Sequence, residues 1–219
     1  MTTDRTGSFN NASHRYREVF NTTIEETIEK AVRIIASDPS LLIPGTIILN
    51  HQRNAAAVRG RHEADGLLVP PVMIVSITSR CNLACAGCYM HGRGTKPVTE
   101  MSREMLASIA GQAAALGVSV IVFAGGEPLV RKEEIFQIAA AHPSVLFPVF
   151  TNGLLIDDVL AGAIAGCRNI VPILSFEGFR AETDARRGSG VYDRLLAVCA
   201  RLKDRNVFFG CSVTTTRNN

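Results

Sequence analysis

Cys81-Asn82-Leu83-Ala84-Cys85-Ala86-Gly87-Cys88 is the stretch on which the reading of this chain turns. It follows an apolar run, Val72-Met73-Ile74-Val75-Ser76-Ile77-Thr78, with the composition of a buried strand. Three thiols therefore crowd a short loop beside a strand end, which packing does not require. Thiolates are soft ligands that select zinc, copper(I) or iron–sulfur clusters. A four-iron cluster is usually held by four cysteines, so three leave one iron open to a substrate or cofactor. His91 supplies a second reading, because Cys81, Cys85, Cys88 and His91 together match a closed zinc site of three cysteines and one histidine. The local spacing admits both, and the remainder of the chain separates them.

The whole chain sets the bounds. Its 219 residues are 47% hydrophobic and 20% charged, enough to bury a sizeable core and too apolar for global disorder. A net charge of +3 is too small to argue for a nucleic-acid partner by itself. Arg53, Arg59 and Arg61 read as a solvated helix face. No apolar run is long enough to span a membrane, and residues 1–13 lack the apolar core of a signal peptide. The expectation is a cytoplasmic protein with reduced thiols, whose cysteines are ligands or core residues and not disulfides.

Upstream of the cysteines, residues 1–20 read as a polar lead-in. Thr22 and Thr23 open two overlapping capping boxes, and a helix from there should stop at Asp38-Pro39. A second helix is expected from about 46 to 64, and Pro70-Pro71 closes an N-terminal helical extension, 1–70. Over 71–219 the pattern changes. Strand-like runs at 72–78, 118–123, 145–150, 170–175 and 206–213 alternate with helical stretches at 102–116, 132–141, 156–166 and 191–204. Such alternation means βαβ units and a parallel sheet, covered on both faces or closed into a barrel. Cys167 at a helix end, Cys199 on a helix face and Cys211 in a strand read as packing residues.

In βα folds the chemistry sits at the carboxyl ends of the strands. The unusual residues fall there. The cysteines follow the first strand, Gly125-Gly126-Glu127-Pro128 the second, and Thr151-Asn152-Gly153 the third. The fourth ends in Ser175-Phe176-Glu177-Gly178, and the fifth carries Ser212 and Thr214.

With Cys-x3-Cys-x2-Cys after one strand and Gly-Gly-Glu-Pro after the next, residues 72–214 resemble a radical S-adenosylmethionine (radical SAM) enzyme. The resemblance implies a partial, open (βα)6 barrel. It implies that Cys81, Cys85 and Cys88 hold a [4Fe-4S] cluster whose free iron binds S-adenosylmethionine. Reductive cleavage of that cofactor then gives a 5′-deoxyadenosyl radical that abstracts hydrogen from a substrate, in peptide modification or cofactor maturation. An electron donor such as a ferredoxin or flavodoxin is implied as a partner. By the same resemblance Gly125 and Gly126 let backbone approach the methionine part, and Glu127 lies near its ammonium. Ser175 and Glu177 contact the ribose or methionine part, and Arg187, or its neighbour Arg186, reaches the carboxylate. Thr151 and Asn152 are further candidate cofactor contacts. Two departures stand out. The aromatic residue that many members carry before the third cysteine is Gly87 here, with Tyr89 one residue after that cysteine. The sequence also ends just past the fifth strand, so the sixth βα step is expected to lie beyond Asn219.

Overall fold

The fold is taken from a computed structural model, which describes residues 30, 33, 36, 42–90 and 99–215. Compact packing divides the chain into Met1–Asn50 and His51–Asn219. In the first unit the described residues are helical. Residues 42–50 open α1, Leu42–Ala64, whose remainder belongs to the larger unit. The division therefore falls ahead of the expected boundary at residue 70. The reason is local. Arg59 Nη1 donates to Gly117 O at 2.5 Å and Gln52 Nε2 to Ser119 O at 3.3 Å, which ties 51–64 to the chain entering the second strand. The expected helix at 22–38 lies almost wholly outside the described residues.

The larger unit runs β1 (Val72–Thr78), α2 (Arg103–Ala115), β2 (Val120–Gly125), a 3-10 turn (Pro128–Arg131) and α3 (Lys132–Ala141). It continues with β3 (Phe147–Thr151), α4 (Asp158–Gly166), β4 (Ile170–Phe176), α5 (Arg180–Arg187), α6 (Val191–Asp204) and β5 (Gly210–Val213). The five strands form one parallel sheet in the order β1-β2-β3-β4-β5. Sequential order in an all-parallel sheet is the topology of a βα barrel that has not closed, with β1 and β5 as its edges. The helix starts follow from capping. Ser102 accepts from Met105 N at the head of α2, and Asp157 accepts from Leu160 N at the head of α4. The helix α5 was not foreseen. Its sequence, Arg-Ala-Glu-Thr-Asp-Ala-Arg-Arg, offers almost no apolar periodicity, and Thr183 is its one buried residue.

The two faces of the sheet differ. Val75, Ile77, Ile121, Phe123, Phe147, Val149, Ile170 and Leu174 are all buried on one face. They share a core with Leu106 and Ala110 of α2, Ile135 and Ile138 of α3, Leu160 and Ile164 of α4, and Leu195, Val198 and Leu202 of α6. Phe123 and Phe147 stack across adjacent strands with centroids 5.5 Å apart. On the other face Ile74 is 71% exposed and Phe150 39%, and Ile173 and Ser175 are half-buried. Of the two expected arrangements, a sheet covered on both faces or a barrel, the structure has the second in open form, with helices on one face only. The uncovered face is the inner side of the open barrel, and the polar strand ends form its rim.

Candidate cluster and cofactor site

The rim is built around the approach to Cys81. Between Ser76 and Thr78 the pairing of β1 with β2 slips, so that Thr78 lies opposite Gly125. Gly126 N donates to Thr78 O and Glu127 N to Arg80 O, both at 2.8 Å. The glycine loop therefore clips onto the three residues that lead into the cysteine loop. The clip works only because two side chains are missing. A Cβ on Gly126 would lie 2.2 Å from Arg80 O, and one on Gly125, at φ +134, would lie 2.3 Å from Thr78 O. The physical need for both glycines is this close approach of the chain to itself. From the far side, Thr78 Oγ1 donates to Glu100 Oε1, and the Glu100 carboxylate also accepts from Ser79 N at 3.2 Å and pairs with Arg80. Partial burial pushes the Glu100 carboxyl up, and the bonds from Thr78, Ser79 and Arg80 outweigh that and hold it below the usual carboxylate range.

Glu127 is the junction of the site. It is 0% exposed. Its Oε1 accepts from Leu129 N at 3.0 Å and from Thr151 Oγ1 at 2.8 Å, and its Oε2 accepts from Asn152 N at 2.8 Å. Burial raises its pKa, and those three bonds together with the charge of Arg187 pull the other way. The carboxylate thus joins the end of β2 to the end of β3. Thr151, buried, is a brace in the same joint, since its oxygen also accepts from Gly153 N at 2.9 Å. Asn152 turns its side chain toward the cysteine loop, donating to Asn82 Oδ1 at 2.7 Å.

Glu177, at the end of β4, meets both candidate arginines. Arg186 Nη1 reaches its Oε2 at 2.8 Å, and Arg187 Nη2 and Nε reach its Oε1 at 2.6 and 3.1 Å. The two arginines sit at the end of α5, and the Arg186 carbonyl accepts from Ala86 N at 2.7 Å. The cysteine loop is therefore also tied to α5. Burial pushes the Cys85 thiol up, Arg187 pulls it down, and the sulfurs of Cys81 and Cys88 push it up again, with Arg186 acting like Arg187. The three sulfurs and the two guanidinium groups share one electrostatic neighbourhood. Ser175 keeps its place on the half-exposed face of β4, in register with Ser212 of β5.

Sequence reasoning passed over Arg131, Asn82 and Glu100. Arg131 is 5% exposed, and its Nη1 donates to Ile77 O and Met101 O, both at 2.9 Å, fixing the end of β1 to the segment before α2. A basic residue after Gly-Gly-Glu-Pro-Leu-Val was the only cue, and surface arginines are commoner than buried ones. Cys167 closes α4 at the opposite end of the strands, just before β4, and Cys199 and Cys211 hydrogen-bond one another across α6 and β5. Gly87 has φ +67 and no atom within 4 Å of a Cβ placed on it, and Tyr89 is exposed. His91 lies outside the described residues. Among the described residues no three His, Cys, Asp or Glu converge on a point that could hold a single metal ion. The donor set of Cys81, Cys85 and Cys88 fits a four-iron cluster, which takes one thiolate on each of three irons.

The site thus sets three thiols at the rim of an open, all-parallel βα sheet. The sequence pattern of the Radical SAM superfamily matches residues 75–216, and the chain belongs to that superfamily. It is 30% identical over 151 residues to the Fe-coproporphyrin III synthase of Methanosarcina barkeri, covering 68% of this chain and 38% of that protein. It is 30% identical over 158 residues to the mycofactocin maturase MftC of Mycolicibacterium smegmatis, covering 70% of this chain and 40% of that one. The sequence thus spans about two fifths of the length of these relatives. Streptococcus suis SuiB, crystallised with S-adenosylmethionine, shares the fold with TM-score 0.61 at 19% identity, over 76% of this chain and 39% of that one. The superfamily uses a [4Fe-4S] cluster and S-adenosylmethionine. No helix among the described residues is long and apolar enough to cross a membrane.

Proposed function

We propose that this chain is the cluster- and cofactor-binding core of an enzyme that starts radical chemistry on a peptide or on a cofactor precursor. One observation carries the reading: Cys81, Cys85 and Cys88 occupy one loop, held from three sides by the ends of β2, β3 and α5. Those three thiolates would hold the cluster, and the remaining iron would be open to the amino and carboxylate groups of S-adenosylmethionine. When bound, the cluster and S-adenosylmethionine together supply a 5′-deoxyadenosyl radical able to abstract a hydrogen atom.

The chain's own residues hold, orient and exclude. Gly125–Glu127 and Glu100 fix the backbone just before Cys81, and Arg186 O fixes Ala86 between the second and third cysteines. Glu177 spreads the two guanidinium groups so that Arg187, 15% exposed in its side chain, keeps its charge at the rim, where a carboxylate would be met. The exposed inner-face residues Ile74 and Phe150 offer an apolar wall on the substrate side. Relatives and neighbours named for peptide and tetrapyrrole chemistry support the two substrate classes. The electron required comes from a one-electron donor of the ferredoxin or flavodoxin class. The test is anaerobic reconstitution with iron and sulfide. Close to four irons per chain, and 5′-deoxyadenosine formed from S-adenosylmethionine under dithionite, are expected. A colourless protein that takes up zinc and no iron refutes the reading.

A further inference from the structure

The resemblance gives Asn152 to the cofactor, but its side chain is committed elsewhere. Its Oδ1 accepts from Leu154 N at 3.0 Å, which fixes the amide orientation and turns Nδ2 toward the cysteine loop. A carboxamide nitrogen has two hydrogens to give. One goes to Asn82 Oδ1 at 2.7 Å, and the other points to Cys81 Sγ at 3.8 Å. Asn152 is 6% exposed, so little water competes for either. Its backbone is pinned as well, through Asn152 N to the buried Glu127 carboxylate. Cys81 Sγ accepts a second N–H, from Leu83 at 3.4 Å. Two donors therefore draw on the charge of the Cys81 sulfur.

We infer that Asn152 is a positioning residue of the cluster: its amide N–H donates to the Cys81 sulfur and raises the cluster's reduction potential. The inference rests on the cluster reading above and deepens it. Reduction adds one electron to a group already negative, and part of that charge falls on the ligating sulfurs. A fixed N–H beside one sulfur stabilises the reduced state more than the oxidised one. The Gly-Gly-Glu loop takes part at one remove, since Glu127 places Asn152 and Asn152 places the donor. The cluster gains ease of reduction and gives up driving force for the next electron transfer.

The experiment is redox titration of the reconstituted full chain, wild type against Asn152→Leu, followed by the electron-spin signal of the reduced cluster, with iron content as control. Removal of the donor should make reduction about tenfold less favourable, a midpoint about 59 mV more negative for a one-electron couple. Asp157→Ala, which strips the cap of α4, serves as a control for mere loosening and should leave the midpoint unchanged. An Asn152→Leu protein that holds its iron at the wild-type midpoint overturns the inference and leaves the cluster reading standing. If Asn152→Leu fails to load, wild type decides. Asparagine labelled with nitrogen-15 at the side-chain amide should give a nitrogen coupling in the pulsed spectrum of the reduced cluster, and no coupling overturns the inference. Asn82 turns its oxygen, not its nitrogen, to this donor, so the coupling reports Asn152. Should wild type take up no four-iron cluster at all, the cluster reading itself fails and the inference with it.

Discussion

Replacing Glu127 by Gln tests whether the signature carboxylate serves the protein or the cofactor. The native group takes three donors, two on Oε1 and one on Oε2, with the shortest at 2.8 Å. Glutamine offers one oxygen. If that oxygen keeps Leu129 N and Thr151 Oγ1, the new NH2 faces Asn152 N, and two donors point at each other. An unmet buried donor costs about 1–3 kcal/mol, and the bonds that survive lose their charge assistance. Against this, the variant no longer buries an ionised carboxylate, the largest cause of Glu127's raised pKa. The net expectation is a loss of about 1–2 kcal/mol, or roughly 2–8 °C in Tm for a unit of this size. Calorimetry of cluster-free protein measures it. The pH dependence has a definite sign. The folded pKa lies above the ordinary 4.5, so this group costs nothing below that value and lowers stability as pH rises through the folded pKa. In the variant that decline should vanish. Direct cofactor contact predicts the reverse pattern. A Tm within about 1 °C of wild type, with S-adenosylmethionine binding weakened tenfold or more, refutes the structural reading of Glu127.

The other expectations concern the same loops. Gly126→Ala puts a Cβ 2.2 Å from Arg80 O, so reconstituted iron should fall sharply while circular dichroism keeps the sheet; Gly87→Ala, with open space around it, should cost about 1–2 kcal/mol and keep its iron. Arg131→Met strands the carbonyls of Ile77 and Met101 and should lose roughly 2–4 kcal/mol in urea unfolding; a loss near zero would show that water replaces the guanidinium. Alanine at Cys81, Cys85 or Cys88 should each abolish iron uptake, whereas Ser at Cys167, Cys199 and Cys211 together should leave iron per chain unchanged. The Cys199 thiol, pushed up to about 11 by burial and its bond with Cys211, should resist iodoacetamide near pH 8 in the folded protein and react once unfolded.

Much of this protein is set out along the chain itself. Parallel βα order follows from apolar runs alternating with capped, amphipathic stretches, because each element's period is local in sequence. Cys81, Cys85 and Cys88 are legible for the same reason: three thiols sit on one loop, and their spacing survives in the one-dimensional string. The strand-end glycines were legible as a position, but their cause was not. Nothing in Gly125-Gly126 says that the intruding atoms are Thr78 O and Arg80 O, since the clash exists only once β1 and β2 pair with a slipped register. The same holds for Glu127, Arg131 and Asn152. Each is a polar side chain that, besides a local partner, has partners 24 to 71 residues away, and burial removes water as an alternative, so those distant donors and acceptors complete what each side chain does. The helix α5 was missed because it is held not by an apolar stripe but by Glu177, which gathers its two arginines, and by Thr183, which accepts from Glu177 N. Hydrophobic period and ligand spacing are properties of the sequence, and close approach and polar pairing across strand ends are properties of the folded chain alone.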